Sequence, residues 1–192
     1  MEPTPGNRIH IFGASGSGTT TLGRALAMRF DSPHFDSDDY FWQKTDPPFV
    51  LMHTPEQRVA MLAHDLLDKE SWVLSGSLCV WGDVFIPKFT LAVYLWIPPE
   101  LRMRRILERE RQRYGARIDA GGDMYEVSRK FRDWAARYDT AGLEQRSRVS
   151  HEAWTTSLNC PLLRIESNAP VSAWVAEVVA AIGDTRVRAS RQ

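Results

Sequence analysis

A glycine-rich run near the start of the chain holds the residue types that bind phosphate. Successive glycines allow the backbone to curl so that several N–H groups point at one anion, and a helix that begins there adds its positive end. The run follows an apolar stretch, 8–12, and precedes a helical pattern over 20–30, an order that disfavours the alternative of a plain glycine-rich turn. The expected phosphate-binding residues are Gly13, Ala14, Ser15, Gly16, Ser17, Gly18, Thr19, Thr20 and Thr21.

The spacing of Gly13 and Gly18 is that of a P-loop, which binds the phosphates of a nucleoside triphosphate, and we expect ATP as the ligand. Thr20 occupies the position whose hydroxyl binds Mg²⁺ in such loops. The preceding position normally carries a lysine that reaches the outer phosphates, and here it is Thr19. A threonine hydroxyl donates a hydrogen bond but carries no charge, so fast catalysis would need a cation from elsewhere in the chain.

Three carboxylates, those of Asp36, Asp38 and Asp39, lie at the end of the second predicted strand. Carboxylates at such a strand end can bind Mg²⁺ together with water and can accept a proton from a substrate hydroxyl. The alternative is a solvated acidic turn that caps the following segment. Because a phosphate-binding loop lies upstream, we favour the functional interpretation, with Asp38 as the candidate base by its position.

Short apolar runs alternate with helical patterns along the chain, which predicts an α/β fold whose parallel sheet has helices on both faces. In such sheets ligands bind at the carboxyl ends of the strands, where the loops after Phe12, Phe35 and Leu74 are rich in glycine or acidic residues. No linker or repeat interrupts the pattern, so we expect one domain over 1–184 and a frayed polar tail over 185–192. The predicted strands are 8–12, 34–36, 72–74, 89–97 and 162–165, and the predicted helices are 20–30, 55–70, 98–114, 124–146 and 171–182.

Composition and charge disfavour several other classes of protein. The 192 residues carry no formal net charge at pH 7, so the total gives no indication of nucleic-acid or anionic-membrane binding. The longest apolar run, 91–97, is too short to cross a bilayer, and the polar start, 1–6, lacks the apolar stretch of a signal peptide. Cys79 and Cys160 lie far apart without metal-ligand spacing, and we interpret them as reduced thiols of a cytoplasmic protein.

Seven arginines lie between Arg102 and Arg117, on and just beyond the helix predicted after the fourth strand. Guanidinium groups stabilise the negative charge of a transferring phosphoryl group. The alternative is a solvated helix face with internal Glu–Arg pairs, and some of the seven must have that role. Arg105 and Arg109 are four residues apart and therefore share one face of the helix.

The phosphate loop, the stretch Phe35-Asp36-Ser37-Asp38, the dipeptide Ser75-Gly76 and the arginine-rich helix together resemble the small P-loop kinases: adenylate kinase, shikimate kinase and gluconate kinase. The stretch Asp38-Asp39-Tyr40-Phe41-Trp42 is similar to the acidic pair and Phe-Trp of the bacterial topology modulation protein group. The likeness spans roughly residues 8–182. It implies a three-layer P-loop NTPase fold with five parallel strands, a lid near 114–123, and transfer of the γ-phosphoryl group to a small acceptor.

The resemblance also implies roles for individual residues. Asp36 would help to hold Mg²⁺ through water, and Asp38 would bind the acceptor hydroxyl. Arg105 would pack on the adenine and Arg109 would approach the phosphates. Ser75 stands where adenylate kinases have an aspartate that organises the water shell of the metal, which is a second departure at the predicted catalytic centre.

The leading interpretation is a Mg²⁺-dependent kinase that acts from ATP on a small-molecule or nucleotide acceptor, as a monomer or homodimer. We expect an arginine to replace the missing lysine charge, and Arg105, Arg109, Arg113 and Arg117 are the candidates, the last two of which flank the lid. A rival, supported by the two departures from the motif, is a nucleotide-binding regulatory protein that has lost catalysis. A third interpretation, association with RNA or DNA, depends on the arginine cluster alone and is disfavoured.

Overall fold

The parallel sheet that the alternating pattern predicts is present. The computed structural model describes residues 6–189, with the side chains of 6–184, and its strands are β1 (Arg8–Gly13), β2 (His34–Asp36), β3 (Trp72–Ser75), β4 (Leu91–Trp96) and β5 (Leu162–Glu166). All neighbouring strands are parallel, in the order β2-β3-β1-β4-β5. The predicted α/β class and the five-stranded sheet are confirmed. Because β1 is the central strand, the loop that follows it lies in the middle of one edge of the sheet.

Helices occupy the connections between the strands. Within residues 6–189 they are α1 (Thr19–Phe30), α2 (Ser37–Phe41), α3 (Pro55–Leu66), α4 (Pro99–Tyr114), α5 (Tyr125–Ala136), α6 (Arg148–Thr155) and α7 (Val171–Ala189). Short 3-10 segments lie at Asp83–Lys88, Gly115–Ile118 and Arg137–Asp139. The start of α3 follows its sequence signal, since Thr54 accepts a hydrogen bond from the backbone N–H of Gln57 and Pro55 takes the first helical position.

Alternate side chains of the strands point into two separate cores. From β4, Val93 and Leu95 pack in one core with Leu22 of α1, whereas Tyr94 packs in the other with Leu62 of α3. Burial on both faces is the reason why β4 reads as a continuous apolar run rather than an alternating one. The fold therefore has three layers, with the sheet between two layers of helices.

The region after the predicted lid differs from the sequence prediction. The helix expected over 124–146 ends at Ala136, where a 3-10 turn follows. Further along, α6 lies in a segment for which the sequence showed no clear pattern. Its start is set by Ser147 and Ser150, each of which accepts a hydrogen bond from the backbone N–H of the other. This reciprocal cap is a short signal that periodicity alone does not detect.

The C-terminal helix is longer than the sequence predicted. α7 continues to Ala189, so residues 185–189 of the expected frayed tail have helical backbone, whereas 190–192 lie outside the described residues. Among the helices that the structure describes, none is both long and apolar enough to span a bilayer. Cys79 and Cys160 are free thiols, as predicted.

Candidate active site

The glycine-rich run forms a tight loop between β1 and α1. The backbone N–H of Ser17 donates to the carbonyl of Ala14 at 3.1 Å, and Gly16 and Gly18 have φ values of 80° and 103°. A Cβ at Gly16 would lie 2.7 Å from the carbonyl oxygen of Arg102, so α4 packs directly against the loop. Because α1 begins immediately after Gly18, its first N–H groups face the loop and can bind an anion there.

One short hydrogen bond joins the phosphate loop to the second strand. The hydroxyl of Thr20 donates to Oδ2 of Asp36 at 2.7 Å, and the hydroxyl of Ser75 donates to the same oxygen at 3.2 Å. Oδ1 of Asp36 accepts the backbone N–H of Asp38 at 3.1 Å and thereby caps α2. Both carboxylate oxygens are held in place, and the two residues predicted to bind the metal, Thr20 and Asp36, are brought together.

His34 extends this hydrogen-bond network, which the sequence did not indicate. Its Nε2 lies 3.0 Å from the hydroxyl oxygen of Ser75. Because the hydroxyl proton of Ser75 is directed at Asp36, Nε2 of His34 is assigned as the N–H donor. Burial lowers the pKa of the His34 imidazole below its usual value, so the ring is neutral near pH 7. Ser75 therefore stands at the position where the resembling kinases have an aspartate, and His34 forms a hydrogen bond with it.

The predicted base, Asp38, lies beside this network at the start of α2. Solvent reaches its side chain, yet protein surrounds the carboxyl closely, and the loss of water raises its pKa above the usual value. The positive charges of Arg146 and Arg109 oppose this shift, whereas the charge of Asp36 adds to it. The candidate base therefore lies within electrostatic reach of two carboxylates, those of Asp36 and Asp39, and of two guanidinium groups.

The clustered arginines of α4 have different roles. Arg102 is fully buried and forms an ion pair with Asp139, so this member of the cluster belongs to the core. Arg105 donates from Nη2 to Oδ1 of Asn168 at 2.8 Å, and its Nη1 lies 3.5 Å from the carbonyl oxygen of Ser17. Arg105 is therefore adjacent to the phosphate loop, on the side of the segment that follows β5.

Arg109 packs against an aromatic ring, whereas Arg117 is paired with carboxylates at the surface. The guanidinium carbon of Arg109 lies 5.9 Å from the ring centroid of Phe131, and its buried Nε has no hydrogen-bond partner within residues 6–184. Burial lowers the pKa of Arg109 below its usual value. In the expected lid, Arg117 is exposed and donates to Asp123 at 2.7 Å, with Asp46 3.8 Å away. Arg117 is thus paired with carboxylates rather than extended towards the phosphate loop.

An arginine that the sequence did not single out reaches the phosphate loop. Arg146 donates from Nη2 to the hydroxyl oxygen of Ser15 at 3.1 Å, and its guanidinium carbon lies 4.8 Å from the ring centroid of Trp134. Its Nε is buried without a partner among the described residues. Because 131 positions separate Arg146 from Ser15 and no motif surrounds it, the sequence carries no local signal for this contact.

The fold is similar to that of known shikimate kinases. Shikimate kinase from Acinetobacter baumannii, in a structure with shikimate, superposes with a TM-score of 0.56 over 93% of this chain and 94% of that chain, at 19% identity. In sequence, shikimate kinase of Bacteroides thetaiotaomicron is 26% identical over 116 residues, which is 55% of this chain and 66% of that protein. The chain therefore has a P-loop NTPase fold like that of shikimate kinase.

A much stronger likeness in sequence defines the family. The uncharacterized protein YqaC of Bacillus subtilis (strain 168) is 47% identical over 171 residues, which is 89% of this chain and 94% of YqaC. The chain belongs to the same family as YqaC. No protein-family model matches the chain. The expected shikimate kinase-like fold is confirmed, and the roles of the individual site residues stay predictions.

Proposed function

We propose that this protein is an ATP-dependent phosphotransferase that transfers the γ-phosphoryl group to a hydroxyl of a small-molecule or nucleotide acceptor. The observation that carries the proposal is the hydrogen bond from Thr20 to Asp36, with Asp38 bonded to the same carboxylate. This arrangement joins a phosphate-binding loop to a candidate base, as a kinase requires in order to bring the nucleotide and the acceptor together. The shikimate kinase fold supports the same class of reaction.

The loop offers the donors that a triphosphate needs. Backbone N–H groups of 13–18 and of the first turn of α1 would bind the phosphate oxygens. The hydroxyl of Ser17 is buried without a hydrogen-bond partner in the part of the chain that the structure describes, and a buried polar group of this kind is suited to a ligand. Thr19 and Thr21 add hydroxyl groups at the start of α1. Arg105 would contribute positive charge at the edge of the loop.

The same region fits Mg²⁺. The hydroxyl of Thr20 and the carboxylate of Asp36 offer oxygen donors alone, which is the chemistry that Mg²⁺ prefers. Within the described residues, no group of three or more His, Cys, Asp or Glu side chains forms a metal cage. A small donor set is compatible with an ion that keeps several waters and is also held by substrate phosphates. When bound, Mg²⁺ would neutralise part of the phosphate charge.

Asp38 would act on the acceptor. It would take the proton of the acceptor hydroxyl as that oxygen bonds to the γ-phosphorus and the bond to the ADP leaving group breaks. The raised pKa of its carboxyl would make Asp38 a stronger base than an aspartate with the usual pKa. Arg109, whose charge acts on Asp38, would stabilise negative charge on the transferring group.

ADP formation by the purified protein with Mg-ATP tests this proposal. The acceptor panel would contain nucleoside monophosphates, shikimate-like acids and sugar acids, with a control that lacks any acceptor. We expect turnover that depends on one class of acceptor and that falls about 100-fold or more in Asp38→Asn. The matched control is Asp39→Asn, which removes the adjacent carboxylate of the same short helix and is expected to keep most of the activity. Full activity of Asp38→Asn would exclude Asp38 as the base.

A second candidate function is that of a nucleotide-binding regulatory protein without turnover. Thr19 and Ser75 favour it, because both stand where the resembling kinases carry charged catalytic residues. This candidate predicts clear ATP binding and no ADP formation with any acceptor of the panel. It also predicts that Thr19→Lys creates activity where the natural protein has none, whereas the kinase proposal predicts activity before the substitution.

A further inference from the structure

The phosphate loop lacks the cation that its motif normally contains, because Thr19 occupies the lysine position. Two arginines near the loop or in the expected lid are engaged elsewhere. Arg102 forms a buried ion pair with Asp139, and Arg117 is paired at the surface with Asp123. Neither guanidinium can reach the phosphates without breaking an ion pair.

The two arginines that the sequence favoured are only partly suited to the role. Nη2 of Arg105 donates a hydrogen bond to Asn168. Its Nη1 lies near a backbone carbonyl oxygen of the loop, that of Ser17. Arg109 is stacked near Phe131 and has no hydrogen bond to the loop among the contacts of residues 6–184. Both can add to the positive potential near the phosphate loop, but neither forms a hydrogen bond with a side chain of that loop.

Contacts with the phosphate loop and with Trp134 hold the side chain of Arg146 in place. Its Nη2 donates to the hydroxyl oxygen of Ser15, and the ring of Trp134 supports the guanidinium from one face. On one side, Gln145 donates from Nε2 to the carbonyl oxygen of Trp134 at 3.2 Å. On the other side, the fully buried Ser147 caps α6. The backbone on both sides of Arg146 is therefore fixed, and the side chain is held at the loop before any ligand binds.

The charge of Arg146 also acts on the candidate base, Asp38. Among the charges that act on the carboxyl of Asp38, that of Arg146 has the largest effect, ahead of those of Asp36 and Arg109. Arg146 therefore lies both at the loop expected to bind the phosphates and near the carboxylate expected to bind the acceptor. A phosphoryl group transferred from ATP must pass between these two points. The Nε of Arg146 is buried without a hydrogen-bond partner among residues 6–184, so the protein does not fully satisfy the guanidinium.

We propose that Arg146 takes the place of the P-loop lysine and binds the outer phosphate oxygens of the triphosphate. This inference rests on the proposed function, because it assigns a residue to the same site. A guanidinium keeps its charge and can bind two phosphate oxygens at once. Arg146 contributes to binding of ATP, in which the γ-phosphate is present, and much less to binding of ADP. Ser15 holds the side chain in position while the site is empty.

Calorimetric binding of ADP and of the β,γ-imido analogue of ATP, with Mg²⁺ and without acceptor, tests this role. Arg146→Gln keeps much of the side chain but removes the charge. We expect it to weaken analogue binding about 10- to 100-fold and ADP binding less than about 3-fold. Arg146→Lys keeps the charge but not the paired N–H groups, and it is expected to lose less analogue affinity than Arg146→Gln. The matched control is Arg148→Ala, which removes a neighbouring arginine that lies over Trp96 and is expected to leave both affinities unchanged.

The substitution Thr19→Lys provides a second readout that a merely structural role of Arg146 would not change. In the Arg146→Gln protein, it is expected to restore about 10-fold or more of the lost analogue affinity, since it returns a charge to the position that the motif uses. In an Arg109→Gln protein, it is expected to restore much less. Thermal unfolding of each variant shows whether Arg146→Gln is folded. If it is not, the ratio of analogue affinity to ADP affinity in Arg146→Lys gives the test, and this ratio is expected to be lower than in the natural protein.

Two outcomes would overturn the inference while the proposed function stands. One is an equal loss of analogue and ADP affinity in Arg146→Gln, and the other is wild-type analogue affinity in that variant. If the natural protein binds neither nucleotide, the proposed function itself fails, and the inference fails with it. Because the nucleotide measurements need no acceptor, these results are distinguishable from a failure to find the acceptor.

Discussion

Gly23 of α1 leaves the space that the imidazole of His34 occupies. A Cβ at Gly23 would lie 2.6 Å from Nε2 of His34 and 3.2 Å from the Cβ of Ser75. Glycine inside a helix is less favourable than alanine by about 1 kcal/mol. That cost is offset because His34 can then bond to Ser75, which in turn bonds to Asp36 beside the phosphate loop. A helix-weakening residue thus permits the hydrogen-bond chain that positions the candidate metal ligand.

The substitution Gly23→Ala is therefore expected to destabilise the protein, although alanine is the better helix former. The added methyl group must displace the His34 ring, which we expect to lower the free energy of unfolding by about 1–3 kcal/mol. Gly183→Ala is the matched control, because nothing lies within 4 Å of a Cβ at this position of α7. It is expected to stabilise by about 0.5–1 kcal/mol. Urea unfolding of both variants checks this, and equal stabilisation would contradict the steric argument.

A second prediction concerns the metal. Asp36→Asn is expected to weaken Mn²⁺ binding to the complex with ADP about 10-fold, because one anionic oxygen ligand is lost. Binding of ADP in the presence of a chelator is expected to change little, since the loop N–H groups do not depend on Asp36. Electron paramagnetic resonance of Mn²⁺ measures the first quantity and calorimetry the second. Asp39→Asn serves as the control, and an equal loss of Mn²⁺ binding in that variant would argue against a specific role of Asp36.

A third prediction follows from the buried ion pair of Arg102 and Asp139. Asp139 also accepts a hydrogen bond from the indole N–H of Trp96 at 2.9 Å. Asp139→Ala would leave the fully buried guanidinium of Arg102 without its counter-charge, which is expected to lower the free energy of unfolding by about 3–5 kcal/mol. Denaturant unfolding measures the loss.

The control for that experiment is Asp133→Ala on α5. Its carboxylate pairs with Arg129 at the surface, where both side chains are exposed to solvent. Solvent screens such a pair, so the midpoint of unfolding is expected to stay close to that of the natural protein. Similar losses in Asp139→Ala and Asp133→Ala would mean that burial does not determine the strength of the first pair.

A fourth prediction concerns His151, which is fully buried and lies edge-on to the ring of Phe12 in β1. Its Nδ1 lies 2.7 Å from the hydroxyl of Tyr138 and its Nε2 lies 3.0 Å from the hydroxyl of Ser77. Burial lowers the pKa of this imidazole from 6.5 to about 3. Between these values the unfolded chain binds a proton that the folded protein does not, so the free energy of unfolding falls as the pH falls below 6.5. Above that pH the contribution is fully present.

Urea unfolding between pH 7.5 and pH 5 measures this dependence. Where the unfolded chain binds one more proton than the folded protein, one such histidine lowers the free energy of unfolding by about 1.4 kcal/mol for each unit by which the pH falls. His151→Gln keeps polar atoms near both partners and cannot be protonated, so its stability is expected to fall less steeply with falling pH. His10, with a similarly lowered pKa of about 3, continues to contribute in both proteins. Parallel pH curves for the two proteins would show that His151 does not carry the effect.

The phosphate loop could be predicted because its geometry is encoded within a few consecutive residues. Gly13, Gly16 and Gly18 stand at fixed spacing. Gly16 and Gly18 adopt left-handed backbone conformations, which glycine can do without a distant contact to hold it there. The strands could be predicted for a related reason, since burial on both faces requires an uninterrupted apolar run such as 91–96. Fold class and loop therefore follow from local sequence together with the general rules of parallel sheets.

The region after the lid could not be predicted as well. A helical pattern over 124–146 does not show where the chain turns, and the helix ends at Ala136. The next helix, α6, starts at a cap formed by Ser147 and Ser150, whose side chains also fit many turns. Tertiary packing, rather than periodicity, selects helix there, and with it the position of Arg146.

The sequence by itself determined the P-loop, the α/β sheet and the carboxylates at the end of β2. Only the tertiary structure decided which side chains complete the site. The bond of His34 to Ser75 spans 41 positions and that of Arg146 to Ser15 spans 131. The physical reason is that such contacts depend on how separate elements pack, so no spacing along the chain records them, whereas the loop depends on the conformation of adjacent residues.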